Sequence, residues 1–188
     1  MQSIILASQS PRRKQLLEWA EIPFAVVLPE TDEQFPLDLN PSDAAIFIAK
    51  NKAQSVKNKV ANDQIILAAD TIVVLNGIII GKPADREDAI QILHSLSGIK
   101  HQVITGVVIS KAQVEISFSE ITEVEFYPLT SKEIEFYVDQ YKPFDKAGAY
   151  AIQEWIGVIG IKAIQGDFYN VMGLPISTVV KKLNTFLL

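Results

Sequence analysis

Apolar residues along the chain fall into short runs separated by turn chemistry, and the period of each run predicts its element. Ser3 to Ala7 is a strand-like run. Ser10 and Pro11 then offer an N-cap and a first helical residue for a helix that continues through Lys14 to Ala20. Phe24 to Leu28 reads as a second strand. Beyond Pro36 and Pro41, the positions Ala45, Ile48, Ala49, Ala53 and Val56 recur at helical spacing, which predicts a helix capped by Ser42 that reaches about Val60 and ends near Asn62. Ile65 to Leu75 is almost continuously apolar, as in a strand covered on both faces, and Asn76-Gly77 predicts a type I′ hairpin returning through Ile78 to Gly81. A helix capped by Asp85 runs from Arg86 to about Leu96 and closes at Gly98. His101 to Ser110 and Val114 to Tyr127 read as antiparallel strands with one solvated face, and Thr130 with Glu133 forms a capping box for a helix ending near Gln140. Val158 to Ile164 reads as a strand, Gln165 to Gly173 as a loop, and Pro175 opens a last helix ending near Leu187.

Strands and helices thus mix along the whole chain, and 188 residues suffice for one folding unit or for two lobes sharing a sheet. With 48% hydrophobic and 21% charged residues, the chain has the makeup of an ordered globular protein. A formal net charge of −5 provides no global field for a nucleic-acid backbone, so nucleic acid is not expected as a partner. The absence of cysteine removes disulfides and thiol catalysis, and His94 and His101 lack metal-ligand spacing, which leaves a hard cation held by carboxylates. No signal-peptide pattern and no membrane-length apolar run appear, so the expected location is the cytoplasm, with no membrane partner.

Asp70 and Thr71 interrupt the apolar run Ile65 to Leu75. A carboxylate there is costly unless a metal, a cation or a substrate compensates it; backbone N–H groups are the structural alternative. Ser8 to Arg13 places two hydroxyls and two guanidiniums at a strand–loop–helix junction, an anion-binding geometry, against the alternative of a capped helix with a solvated basic turn. Glu30, Asp32 and Glu33 form an acidic loop, solvated or helping to hold Mg²⁺. Lys52 falls inside an apolar helical stripe, where it either snorkels to an edge or meets an anion. Lys82 exits the hairpin before Pro83, either a surface lysine or one facing the same side as Asp70. Around Gly148, small residues permit close backbone approach, while Tyr150 and Gln153 offer a stacking ring and an amide that can read a base edge; helix packing would explain the same loop.

Five segments, SQSPRR at 8–13, AADT at 68–71, GKP at 81–83, DKAGAYAIQ at 145–153 and GDFYNVMGLP at 166–175, together resemble the Maf-like nucleoside triphosphate pyrophosphatases. The resemblance runs in family order over almost the whole chain. It implies a single Maf-like domain over residues 1–188, with an elongated mixed sheet and flanking helices forming two lobes around a cleft, similar to inosine triphosphate pyrophosphatases. It also implies hydrolysis of a nucleoside triphosphate to monophosphate and pyrophosphate with a divalent metal, Mg²⁺ or Mn²⁺.

Carried over by motif, Asp70 is the expected proton acceptor, Ser8, Arg13, Lys52 and Lys82 the phosphate-binding residues, and Glu33 with Asp70 the metal side. Arg12, Thr71 and Gln153 match the positions that mark the dTTP/UTP branch of the family. Glu154-Trp155 departs from the family pattern, in which Gly is common after the glutamine. A homodimer is a possible assembly, since family members often dimerise. The alternatives are a non-catalytic nucleotide-binding regulator of cell division and a pyrophosphatase for 7-methyl-GTP.

Overall fold

The computed structural model describes residues 3–187. Its sheet grows from the continuous apolar run: β3 (Ile66–Leu75) lies beside β1 (Ile4–Ala7), which carries β2 (Phe24–Val26) on its far side. Both of those pairings are parallel. β5 (Lys100–Lys111), β6 (Val114–Phe126) and β7 (Ile161–Gln165) extend the order to β2-β1-β3-β5-β6-β7, and β4 (Ile78–Ile80) pairs antiparallel with β3. The result is a seven-stranded mixed sheet with helices α1 (Pro11–Trp19), α2 (Pro41–Lys57), α3 (Arg86–Leu96), α4 (Ser131–Tyr141), α5 (Trp155–Gly160), α6 (Phe168–Met172) and α7 (Ile176–Leu187).

By internal packing the chain divides into two compact units. The first comprises residues 1–71, 105–120 and 173–188. Its core joins Ile5 and Ala7 of β1, Ala49, Ala53 and Val56 of α2, Ile66 and Ala68 of β3, and Val108 of β5. Helix and sheet lie very close here: a Cβ on Gly106 would come within 2.3 Å of the Ala45 backbone, so only glycine fits that position. α2 starts two residues earlier than the Ser42 cap expected from the pattern. Asn40 caps it by accepting from the Asp43 N–H at 3.0 Å, and Pro41 takes the first helical position that its fixed φ suits.

The second unit comprises residues 72–104 and 121–172. The Asn76-Gly77 turn has φ of 51° and 81°, as a type I′ hairpin requires. α3 packs on α4, which begins with the expected Thr130–Glu133 capping box. Two expectations fail in this unit. Residues 158–160 close helix α5 rather than opening a strand, and Val158 is 80% exposed, so its β-branched side chain carries no core signal. The helix turns tightly over Ile152: a Cβ on Gly157 would overlap the Ile152 carbonyl oxygen, so glycine admits a turn that the apolar pattern alone reads as extended. The segment 165–173 is not all loop, because Phe168–Met172 is helical. Asp167 Oδ1 accepts from the Tyr169 N–H at 2.8 Å and so satisfies one donor of its first turn.

The structure also decides between the two readings of Tyr150 in favour of packing. Instead of an accessible stacking ring, it is a buried core residue, edge-on to Phe126 and His101, with its hydroxyl 2.8 Å from His101 Nε2. Burial pushes the Tyr150 phenol well above its ordinary pKa and drives the His101 imidazole down to about 4. Between pH 6.5 and 4 the folded protein therefore holds His101 neutral while the unfolded chain takes up a proton, so this contribution to stability is full above pH 6.5 and lost as pH falls through about 4. A shift of that size corresponds to on the order of 3 kcal/mol. Urea unfolding of the wild type and of His101→Gln across this window should show the stability difference between them shrinking as pH falls; a difference independent of pH would contradict the buried neutral imidazole.

Candidate active site

β3 carries Asp70 at a position that is 8% exposed, inside a run of buried alanines and branched residues. Its compensation comes from α2. Lys52 interrupts the apolar stripe of Ala49, Ala53 and Val56, is 7% exposed, and places Nζ 2.6 Å from Asp70 Oδ1 and 2.6 Å from Glu33 Oε1. The lysine meets anions and does not snorkel to the surface. Two carboxylates thus share one ammonium, and both of these oxygens are hydrogen-bonded to it.

Glu33 reaches that point from the loop between β2 and α2, with its own backbone at φ 57°. A non-glycine residue in the left-handed region is uncommon and costs roughly 1 kcal/mol or more unless its surroundings hold it. The bond to Lys52 is such a constraint. Glu33 remains half-buried and Asp70 buried, so one carboxylate is partly open to solvent and the other is closed off from it.

The same unit assembles a second cluster around Arg13. Ser10 caps α1 by accepting from the Arg13 N–H at 3.4 Å, and Pro11 pre-sets the first turn, which turns the Arg13 side chain inward to 7% exposure. Its Nε donates to the Gly173 carbonyl at 2.8 Å, Nη1 to Ser8 Oγ at 3.2 Å and Nη2 to Thr71 Oγ1 at 3.0 Å. Burial lowers the Arg13 pKa from its ordinary value; the Asp70 charge opposes that effect, Arg12 adds to it, and Glu33 again opposes it. Each terminal nitrogen of a guanidinium bears two N–H groups, so Arg13 keeps donors for an anion while its plane is fixed. Ser8, expected as a phosphate-loop residue, is buried and accepts from both the Ser10 N–H and Arg13.

Two participants have no counterpart in the sequence reading. Thr105 on β5, fully buried, lies with its hydroxyl 2.9 Å from Thr71 Oγ1, and the Gly173 backbone at φ 116° presents the carbonyl that Arg13 grips. The glycine carries a readable signal, a turn residue just before Leu174-Pro175. A threonine within a strand carries none. Thr71 itself is tied into this network, so its hydroxyl links Arg13 to β5.

The remaining expected residues divide differently. Arg12 lies half-buried beside Arg13 in the first unit. Lys82 and Gln153 belong to the second unit, and both are exposed. Lys82 follows Gly81, whose carbonyl accepts from the Gly148 N–H at 3.1 Å. Gly148 requires glycine: its φ is 70°, and a Cβ would meet Val73 at 2.8 Å. The DKAGAY segment thus braces the strand exit that carries Lys82. Gln153 stands on a turn closed by the Glu154 N–H to the Ala151 carbonyl at 3.1 Å.

The model of the family described as Maf-like protein matches residues 3–186. The dTTP/UTP pyrophosphatase of Cytophaga hutchinsonii is 51% identical over 180 residues, covering 96% of this chain and 82% of that relative. That of Phocaeicola vulgatus is 48% identical over 184 residues, covering 96% of this chain and 95% of the relative. Among solved structures, a nucleoside-triphosphatase / dITP/XTP pyrophosphatase from Mycobacterium abscessus aligns at 14% identity with a TM-score of 0.42, over 68% of this chain and 76% of that one, a likeness too slight to bear on function.

The shared ammonium has a thermodynamic consequence. Lys52→Met leaves a buried carboxylate unpaired and should lower the unfolding free energy at neutral pH by about 3–5 kcal/mol. Adding Asp70→Asn to that variant should restore most of the loss, whereas Glu33→Gln alone, at a half-exposed position, should cost less than about 1 kcal/mol. Urea denaturation checks all three; a Lys52→Met variant as stable as the wild type would contradict the ion-pair assignment.

Proposed function

The chain belongs to the Maf-like protein family, and on that premise we propose that it is a nucleoside triphosphate pyrophosphatase that converts dTTP and UTP to the monophosphate and pyrophosphate. The observation that carries this reading is the buried Asp70 carboxylate, 2.6 Å from Lys52 Nζ, in the same unit as the phosphate-type donors of Arg13 and Ser8. The relatives at 51% and 48% identity, both dTTP/UTP pyrophosphatases, support it.

In this reading Asp70 accepts a proton from water as the water oxygen attacks phosphorus. The phosphorus–oxygen bond of the α–β anhydride breaks, and the pair of electrons leaves with pyrophosphate. General-base help of this kind is worth roughly 10²–10⁴-fold. Cations supply the rest: Arg13 and Lys52 stabilise charge growing on the phosphate oxygens, with Arg12, Ser8 and Lys82 as further phosphate contacts. Thr71, Gln153 and Arg12 take the role of specificity residues, the Gln153 amide suiting the keto and imide edge of thymine or uracil.

Glu33 and Asp70 both bond the Lys52 ammonium, and the described residues include no group of three or more metal-type ligands, so these two carboxylates are the candidate protein oxygens for a metal. That donor set fits a hard divalent ion, Mg²⁺ or Mn²⁺, which takes one or two carboxylates and completes its shell with substrate phosphates. When bound, the ion would neutralise phosphate charge and polarise the phosphoryl oxygens.

A regulator that only binds nucleotides would need the cations but not a carboxylate buried among them. The two readings separate in one experiment: purified protein, Mg²⁺ or Mn²⁺, a panel of common and 7-methylated triphosphates, and phosphate detection with and without added inorganic pyrophosphatase. We expect phosphate only when the auxiliary enzyme is present, with kcat/KM for dTTP and UTP exceeding that for ATP, GTP and CTP by roughly 10-fold or more. No release from any nucleotide would favour the regulator, and preferential turnover of 7-methyl-GTP would move the chain to the other branch.

A further inference from the structure

Gln153 is exposed on a short turn, and an exposed amide reads a base edge well only if its backbone is held. The second unit contains a device placed to do this. Tyr137 of α4 is 0% exposed, and its hydroxyl lies under the turn. That hydroxyl accepts from the Ala151 N–H at 3.2 Å and donates to Glu154 Oε2. Ala151 and Glu154 are the two ends of the turn that their own backbone bond closes, so a single phenol ties both ends of the segment bearing Gln153.

The far side is fixed as well. Glu154 opens α5, accepting at its carbonyl from the Gly157 N–H at 2.9 Å, and its carboxylate lies 3.5 Å from the Nζ of Lys146, a lysine only 7% exposed. Lys146 also bonds Asp145 at 2.9 Å, which anchors the start of the DKAGAY segment. A hydroxyl bridged between a backbone donor and a charge-assisted acceptor is a stiff link, because releasing either end leaves a buried polar group unpaired.

We propose that Tyr137, Glu154 and Lys146 are positioning residues for nucleobase selection: they act through the turn Ala151–Glu154 to fix the presentation of Gln153. The assignment rests on the pyrophosphatase reading above.

The test is a double-mutant cycle read on discrimination, the ratio of kcat/KM for UTP to that for CTP, with thermal unfolding recorded alongside. Tyr137→Phe and Glu154→Ala should each lower the ratio about 10-fold, chiefly through a raised KM for UTP. Glu154→Gln retains an acceptor for the phenol and should stay within about 3-fold of the wild type. In Gln153→Ala the ratio is already reduced, and adding Tyr137→Phe should reduce it no further. Where Tyr137→Phe fails to fold, the Glu154→Ala and Glu154→Gln pair decides alone. Unchanged discrimination in both truncations, or independent losses that multiply in the double variant, would overturn the inference. A wild type without turnover on any triphosphate would instead overturn the underlying reading, and with it the inference.

Discussion

The proposed chemistry depends on placing a carboxylate, Asp70, in a strand whose residues are almost all buried. Asp70 sits on β3 among residues that exclude water, and burying an unpaired carboxylate there would cost more than most single interactions can return. Lys52 makes the position tenable. Its placement in turn requires α2 to lie close over the sheet, which the missing side chain of Gly106 permits against the Ala45 backbone.

Arg13 meets a related constraint by different means. Its guanidinium is buried beside that of Arg12, both of which disfavour its charge, and the Asp70 and Glu33 carboxylates counter them. Hydrogen bonds to Gly173, Ser8 and Thr71 fix its plane. The two clusters are therefore electrostatically dependent: the carboxylates that need Lys52 are also the ones that help keep Arg13 charged. In the proposed function, such mutual dependence would pre-organise the residues before substrate binds, which is where charge stabilisation gains its power.

Much of the fold was legible because its signals are local. The Ser10-Pro11 start of α1, the Asn76-Gly77 turn and the Thr130–Glu133 box each declare themselves within four residues, and all three appear in the structure. The misses have long-range causes. Tyr150 is in the core because His101 and Phe126 arrive from strands β5 and β6, information that a Gly-Ala loop does not contain. Residues 158–160 turn as helix because Gly157 passes over the Ile152 carbonyl, and an apolar run of that length looks the same in either conformation. In the candidate site, the anomaly of Asp70 in an apolar strand and of Lys52 in an apolar stripe was visible from periodicity alone. Their pairing was not, since 18 positions separate them along the chain. Thr105 and the Gly173 carbonyl escaped for the same reason.

The central claim is that Asp70 takes the proton of the attacking water and is not merely the partner of Lys52. Asp70→Asn separates these roles, because an amide oxygen can still accept from the ammonium but cannot serve as the base. Single-turnover hydrolysis of dTTP by this variant, with nucleotide binding measured by calorimetry and fold by circular dichroism, is the most direct measurement. The chemical step should slow by roughly 10²–10⁴-fold with fold intact and binding retained. A variant that hydrolyses dTTP at close to the wild-type rate would contradict it.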